Sequence, residues 1–203
     1  MFSNFFSVGI TGGIGSGKSL VCKIFLVLGV PVYSSDDRAK WLISHDNVLK
    51  QQIIQEFGTD AYNEDGSVNR AYLANTIFKD ENKRKVLNAL VHPRVGEDFN
   101  KWRSDIGGST YVLKEAALLF ETGSYKELDK VINVSAPETL RLQRVLMRDL
   151  HRDKQQVESI IQKQWTDSQR EELADFTIKN DEQQMLLPAV LKIHEQLLKL
   201  ASM

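Results

Sequence analysis

The sequence predicts an α/β fold, a five-stranded parallel sheet with helices on both faces. Three observations predict it. Short apolar runs rich in β-forming residues alternate with segments of helical period in the first third and the last half of the chain. Alternation of this kind builds a parallel sheet buried on both faces. A glycine-rich stretch, "GITGGIGSGKSL" (9–20), joins the first apolar run to the first helical segment. Between about residues 37 and 105 the helical period persists with no convincing strand, which marks an insertion that caps one edge of the core.

The elements follow in order. Phe5 to Ile10 reads as a buried strand, and Ser19 to Leu28 as a helix stopped by Gly29. "VPVYS" (30–34) is the second strand. In "SSDDRAKWLI" (34–43), Ser35 or Asp36 can cap the next helix. Val48, Ile53, Ile54 and Phe57 recur at helical spacing, with Gly58 as the stop. "NEDG" (63–66) is a turn. Helices are predicted over 70–78 and 80–91, with His92-Pro93 breaking or kinking the path before a further helical piece to about Asp105. After the loop "GGS" (107–109) come two strands, "TYVLKEA" (110–116) and "KVINVSA" (130–136). Pro137 opens a helix to about Asp149. A polar helix spans 154–164, and "DFTIKN" (175–180) is the fifth strand. Leu187, Val190, Leu191, His194 and Leu198 mark one face of a closing helix, with Pro188 near its start.

Composition narrows the function classes. The chain has 203 residues, 42% hydrophobic and 26% charged, with a formal net charge of −1. That is a globular composition, and it argues against a broad nucleic-acid or membrane surface. Cys22 is the only cysteine, so no internal disulfide can form, which fits a reducing cytoplasm. The first basic residue is Lys18, so the start lacks the basic region of a signal peptide, and no apolar run approaches membrane-spanning length. The expectation is a cytoplasmic monomer or small homo-oligomer whose partners are small molecules.

Gly12-x-x-x-x-Gly17-Lys18-Ser19 matches the phosphate-binding loop G-x-x-x-x-G-K-[ST], in the strand-to-helix context that it requires. Glycine permits positive φ, so successive amides can turn toward one anion, and no Cβ blocks its approach. The helix N-terminus adds its positive end. Lys18 reaches the β- and γ-phosphates, and the Ser19 hydroxyl serves Mg²⁺. A dinucleotide fingerprint starting at Gly13 and Gly15 would need glycine where Lys18 stands. A guanine-reading N-K-x-D motif fails at "NKRK" (82–85), and "DIGG" (105–108) follows a polar helix end rather than a strand.

Acceptor chemistry needs a group beside the γ-phosphate. Asp36 and Asp37 stand at the end of the second strand; from spacing, Asp36 serves equally well as base or as helix cap. Glu115 ends the third strand and can hold the metal's hydration shell or the acceptor, or pair with Lys114. Arg141, Arg144, Arg148 and Arg152 are spaced to share one helical face, either solvated or serving as a lid over the phosphates.

Taken together, the motifs resemble the dephospho-CoA kinase family. "VGITGGIGSGKS" (8–19) matches its opening. "SSDDRAK" (34–40), "DGSVNRAYLANTIF" (65–78), "LNALVHPRV" (87–95), "EAALLFE" (115–121), "RDLHRDKQQVESIIQKQ" (148–164) and "ADFTIKN" (174–180) follow in the family's order. The resemblance implies a P-loop NTPase of the nucleotide-kinase-like type. Its core would be 1–36, 106–140 and 171–203, with a helical acceptor (CoA-binding) domain at 37–105 and a lid at 141–170. It implies ATP- and Mg²⁺-dependent phosphorylation of the ribose 3′-hydroxyl of dephospho-CoA.

Residue by residue, the resemblance implies that Asp36 is the base or orienting group. Gly13, Ile14, Gly15, Ser16, Gly17, Lys18, Ser19 and Leu20 would hold ATP, with Arg144 and Arg148 acting from the lid. Lys40, Arg70, His92 and Glu115 would join Asp36 on the acceptor side, and Ser19 with Glu115 would serve the metal. His92 fits a capped turn before Pro93 equally well. Four positions depart from the family pattern: Ser34 for aspartate, Lys40 for arginine, Leu20 for threonine and Ala117 for proline. Two other functions fit the loop alone, a kinase for another small acceptor and an ATP-sensing module without chemistry.

Overall fold

The computed structural model describes residues 6–203. The expected first strand begins at Phe5, which lies outside the described residues. Five strands form one parallel sheet: β1 (Phe6–Thr11), β2 (Val32–Ser34), β3 (Tyr111–Glu115), β4 (Lys130–Ser135) and β5 (Phe176–Lys179), in the order β2-β3-β1-β4-β5. The four inner residues of β1 that follow Phe6, Ser7 to Ile10, are all buried, as are Val131 to Ser135 of β4. Such unbroken burial is the pattern of strands covered on both faces.

The chain divides into two compact units, residues 1–34 with 106–203, and residues 35–105. In the first, α1 (Lys18–Val27), α6 (Glu138–Arg148), α7 (Lys154–Lys163), α8 (Asp167–Leu173) and α9 (Leu186–Ala201) accompany the sheet. Its core joins Val8, Ile10, Leu113, Ile132 and Ile178 of the sheet to Val21 and Phe25 of α1 and to Val190, Ile193 and Leu197 of α9.

The buried face of α9 differs from the expected stripe. Val190, Ile193 and Leu197 are buried, whereas Leu187, Leu191 and Leu198 are exposed. Lys192, Glu195, Gln196 and Lys199 share one side of α9 and the buried residues lie opposite them, whereas Leu187, Leu191 and Leu198 stand at the edge of the apolar arc. Likewise Arg152, expected to share a helical face with the other three arginines, lies beyond the end of α6 and pairs with Asp149.

The second unit contains α2 (Ser35–His45), α3 (Asn47–Phe57), α4 (Arg70–Lys79) and α5 (Glu81–Asp105). Neither Ser35 nor Asp36 precedes the first turn of α2 as a cap; both lie within it. In α3 the buried residues are Leu49, Ile53 and Phe57, and Val48 is exposed. Asp46 caps α3 through the Leu49 amide and accepts from Arg94 at 2.9 Å. Burial raises the Asp46 carboxyl, but the Leu49 amide and Arg94 outweigh it and hold it below its ordinary range. Arg38 grips Asp98 with two nitrogens at 2.8 and 2.6 Å, a charge-assisted pair between α2 and α5.

His92-Pro93 does not end a helix. α5 runs through Pro93 without a break in assignment. An interior proline costs about 3 kcal/mol. Leu87, Val91, Val95 and Phe99 are buried on both sides of it at a spacing of four, and each such side chain contributes about 1.5–3 kcal/mol on burial. The stripe outweighs the proline.

Candidate active site

The site grows from the end of β1. Thr11 closes the strand, the chain turns through Gly12–Gly17, and α1 begins at Lys18 with Gly17 as its left-handed N-cap. Gly12, Gly15 and Gly17 have positive φ, which turns the amide direction repeatedly within six residues. At two positions a Cβ would collide with a side chain that reaches in from outside the loop. A Cβ on Gly13 would stand 1.9 Å from Arg141 Nη1. One on Gly17, at φ 95°, would stand 2.2 Å from Asn180 Nδ2.

Parallel pairing places the other strand ends beside this loop. Glu115 is in register with Ile10 of β1 and with Ser34 of β2, and Thr11 is in register with Asn133 of β4. Ligands of open α/β sheets gather at these carboxyl ends. Ser19 Oγ donates to Glu115 Oε1 at 3.3 Å, so the two expected metal residues are brought together. Lys18 Nζ reaches back to the Gly12 carbonyl at 3.1 Å, spanning the loop it serves. Cys22, one turn further along α1, is buried, and burial and then the Glu115 carboxylate push its thiol well above the ordinary range.

The loop is also gripped from outside. Gln164 Oε1 accepts the Ile14 amide at 2.8 Å, and Asn180 Nδ2 donates to the Ser16 carbonyl at 2.8 Å. Arg141 of α6 is buried against Gly13 and Gly15, and its Nε and Nη1 have no hydrogen-bond partner among the described residues. A buried cation with unused donors is costly unless an anion joins it. Arg170 is wholly buried, pairing with Glu121 at 3.3 Å and Asp167 at 3.2 Å.

Among the expected arginines, Arg144 donates to the Asn180 carbonyl at 3.1 Å and pairs with Glu182 at 2.9 Å. Arg148 is exposed at the last residue of α6. Leu20 is exposed in the first turn of α1. Asp36 and Lys40 are exposed on α2, Arg70 opens α4, and His92 is exposed on α5; all four belong to the second unit. Lys40 pairs with Asp37 at 3.1 Å.

Sequence reasoning missed Arg170, Gln164 and Asn180 and did not single out Arg141 from its row. The first two sit in polar segments that read as solvent-facing. A signal for α8 was nonetheless present: Thr166-x-x-Gln169 forms a reciprocal capping box.

The family profile described as CoaE, dephospho-CoA kinase, matches residues 6–185. This chain belongs to the dephospho-CoA kinase family. A dephospho-CoA kinase of Porphyromonas gingivalis is 39% identical over 189 residues, 93% of each chain. One from Bacteroides fragilis is 36% identical over 186 residues, 92% of this chain and 90% of that one. Among solved structures, a Thermus thermophilus protein aligns with a TM-score of 0.80 at 27% identity, over 96% of this chain and 97% of that one. A Campylobacter jejuni dephospho-CoA kinase aligns at 0.70 and 22% identity, over 95% and 97%, and supports the fold. The family is the one that the ordered motifs resembled, and the nucleotide-kinase-like parallel sheet is as expected.

Proposed function

We infer that this chain transfers the γ-phosphoryl group of ATP to the ribose 3′-hydroxyl of dephospho-CoA, forming coenzyme A and ADP in the last step of coenzyme A synthesis. One observation carries the reading: a fully formed phosphate loop, with Lys18 and the Ser19–Glu115 pair in place, inside a chain that matches the family from residue 6 to 185. The rest is positioning and charge.

The Ile14 and Ser16 amides are engaged by Gln164 and by the Gly13 carbonyl. Phosphate recognition then falls to the amides from Gly15, Gly17, Lys18 and Ser19. Leu20 follows at the base of the loop. Arg141 directs its unused nitrogens at the loop and supplies charge as the phosphoryl group leaves ADP. Arg144 and Arg148, on the same helix, would add to it from the 141–170 lid. The 37–105 block would hold the acceptor through Lys40, Arg70 and His92. Asp36 takes or orients the hydroxyl proton as the 3′ oxygen attacks γ-phosphorus.

The donors present fit Mg²⁺. Ser19 Oγ and Glu115 Oε1 are hard oxygen groups side by side, and no cluster of three His, Cys, Asp or Glu side chains occurs among the described residues. The remaining ligands of such an ion would be phosphate oxygens and water. When bound, the ion neutralises charge on the β- and γ-oxygens. The reading puts the chain in the cytoplasm, which fits a chain whose single cysteine can form no internal disulfide, with ATP and dephospho-CoA as its small-molecule partners.

The test is turnover of dephospho-CoA with ATP, the product identified as the 3′-phosphate, beside a panel of nucleoside monophosphates and sugar acids. Turnover of a panel member but not of dephospho-CoA overturns the reading. So does ATP binding without transfer to any acceptor.

A further inference from the structure

We propose that Gln164 is a positioning residue for the nucleotide: from the end of α7 it holds the phosphate loop in its binding form through the Ile14 amide. The proposal rests on the loop being the ATP site. A backbone amide in a partly buried turn needs an acceptor. Ile14 takes its acceptor from the far side of the sequence, Gln164 Oε1 at 2.8 Å, rather than from its own loop.

Gln164 is not a swinging surface side chain. It is the C-cap of α7, and the next residue is fixed two ways, through its amide and through its ring. The Trp165 amide donates to Glu121 Oε1 at 3.1 Å. The same oxygen accepts from buried Arg170. The Trp165 ring stacks on Phe120 at 6.0 Å and 7°. Thr166 then opens α8 with its capping box. The acceptor oxygen therefore stands on a backbone anchored on both sides.

Asn180 completes the grip. It donates to the Ser16 carbonyl, so one side-chain amide takes a loop N–H and the other gives to a loop C=O two residues on. The loop itself carries four glycines in six residues and would be costly to order from a free ensemble. Ordering it before ATP arrives moves that cost out of the binding step. The effect belongs in ATP affinity and not in the chemical step. Because Gln164 ends α7, it also makes the loop sensitive to where that helix sits.

The experiment uses the whole chain with Gln164→Met, which keeps length and removes the oxygen, and Gln164→Glu, which keeps an acceptor oxygen. Three quantities are read: KM for ATP against kcat, the ATP dissociation constant by calorimetry, and hydrogen exchange at the Ile14 amide without nucleotide. Loss of a hydrogen bond to a partly buried donor predicts that Gln164→Met raises KM and the dissociation constant about tenfold. In that variant kcat stays within about twofold and Ile14 protection is lost. Gln164→Glu retains the protection.

The proposal is overturned if Gln164→Met leaves ATP affinity within about twofold, if it tightens binding, or if kcat falls as much as KM rises. It is also overturned if Ile14 stays protected in Gln164→Met or is unprotected in the unaltered protein. Calorimetry and exchange need no acceptor, so failure of the dephospho-CoA reading leaves both measurements decisive.

Discussion

Asn180 Nδ2 donates to the carbonyl of Ser16 and stands where a Cβ on Gly17 would have to go. Gly17→Ala therefore meets two obstacles, a φ of 95° and a collision at 2.2 Å. Strain of about 1–3 kcal/mol corresponds to a loss of ATP affinity of about 5- to 150-fold. Adding Asn180→Gly removes the collision but leaves the φ strain and also takes away the bond to the Ser16 carbonyl, so calorimetry should find affinity recovered only in part. Full recovery would show that the backbone angle costs nothing here.

Asp36 is exposed in the first turn of α2, not the cap that precedes it. Asparagine caps a helix about as well as aspartate, so Asp36→Asn spares any capping role and removes only the proton acceptor. Asp36→Asn should lower kcat by about 10²- to 10⁴-fold, while the ATP dissociation constant and the melting temperature stay put. Steady-state kinetics with calorimetry separates these outcomes. Unchanged kcat would remove Asp36 from the chemistry.

Arg170 is wholly buried between Glu121 and Asp167. Removing one partner of a buried pair strands the others, at about 3–5 kcal/mol. Arg170→Met should therefore be among the most destabilising single changes outside the apolar core. Adding Glu121→Gln relieves one stranded carboxylate and should restore part of the loss. Urea midpoints of the single and double variants check this.

Tyr111 Oη and His194 Nδ1 lie 2.7 Å apart under the sheet, with the Phe25 ring 6.3 Å from the imidazole. Burial holds His194 below its ordinary range, against a smaller upward pull from Glu195. The folded state thus prefers the neutral ring. The stability this group contributes is complete above an unfolded value of about 6.5 and is lost as pH falls toward the folded value. Unfolding free energy measured from pH 8 to pH 5 should decline, and His194→Gln should flatten that part of the decline. An equal slope in both proteins would place the pH dependence elsewhere.

The parts of the site legible in the sequence are those whose chemistry is local. Gly12 to Ser19 fall within eight residues, and the flanking strand and helix are strongly patterned. Glu115 was legible because a carboxylate at a strand end is placed by topology. Gln164 and Arg170 were not, because the partners that tie them to the rest of the site, Ile14 and Glu121, lie over forty residues away. Pro93 misled for the opposite reason. The local rule was right about its cost, but the buried stripe from Leu87 to Phe99 acts over about three turns and overrides it. In α9 the polar residues Lys192, Glu195, Gln196 and Lys199 share one side, so the period itself points to Val190 and Leu197 as core and puts Leu187, Leu191 and Leu198 at the edge of the apolar arc.

The strand order has a consequence for how the molecule assembles. Phe6 of β1 pairs with Tyr111 of β3, and Val8 with Lys130 of β4. The whole of residues 35–105 lies between those partners, a unit built from helices close in sequence. Local helical contacts form faster than pairings that close long loops. During synthesis the inserted unit can be complete while β1 still waits for both of its neighbours. The phosphate loop, which precedes both β3 and β4 in the chain, is therefore among the last parts to acquire its shape, and substitutions that slow β3 or β4 pairing delay the nucleotide site before they touch any residue in it.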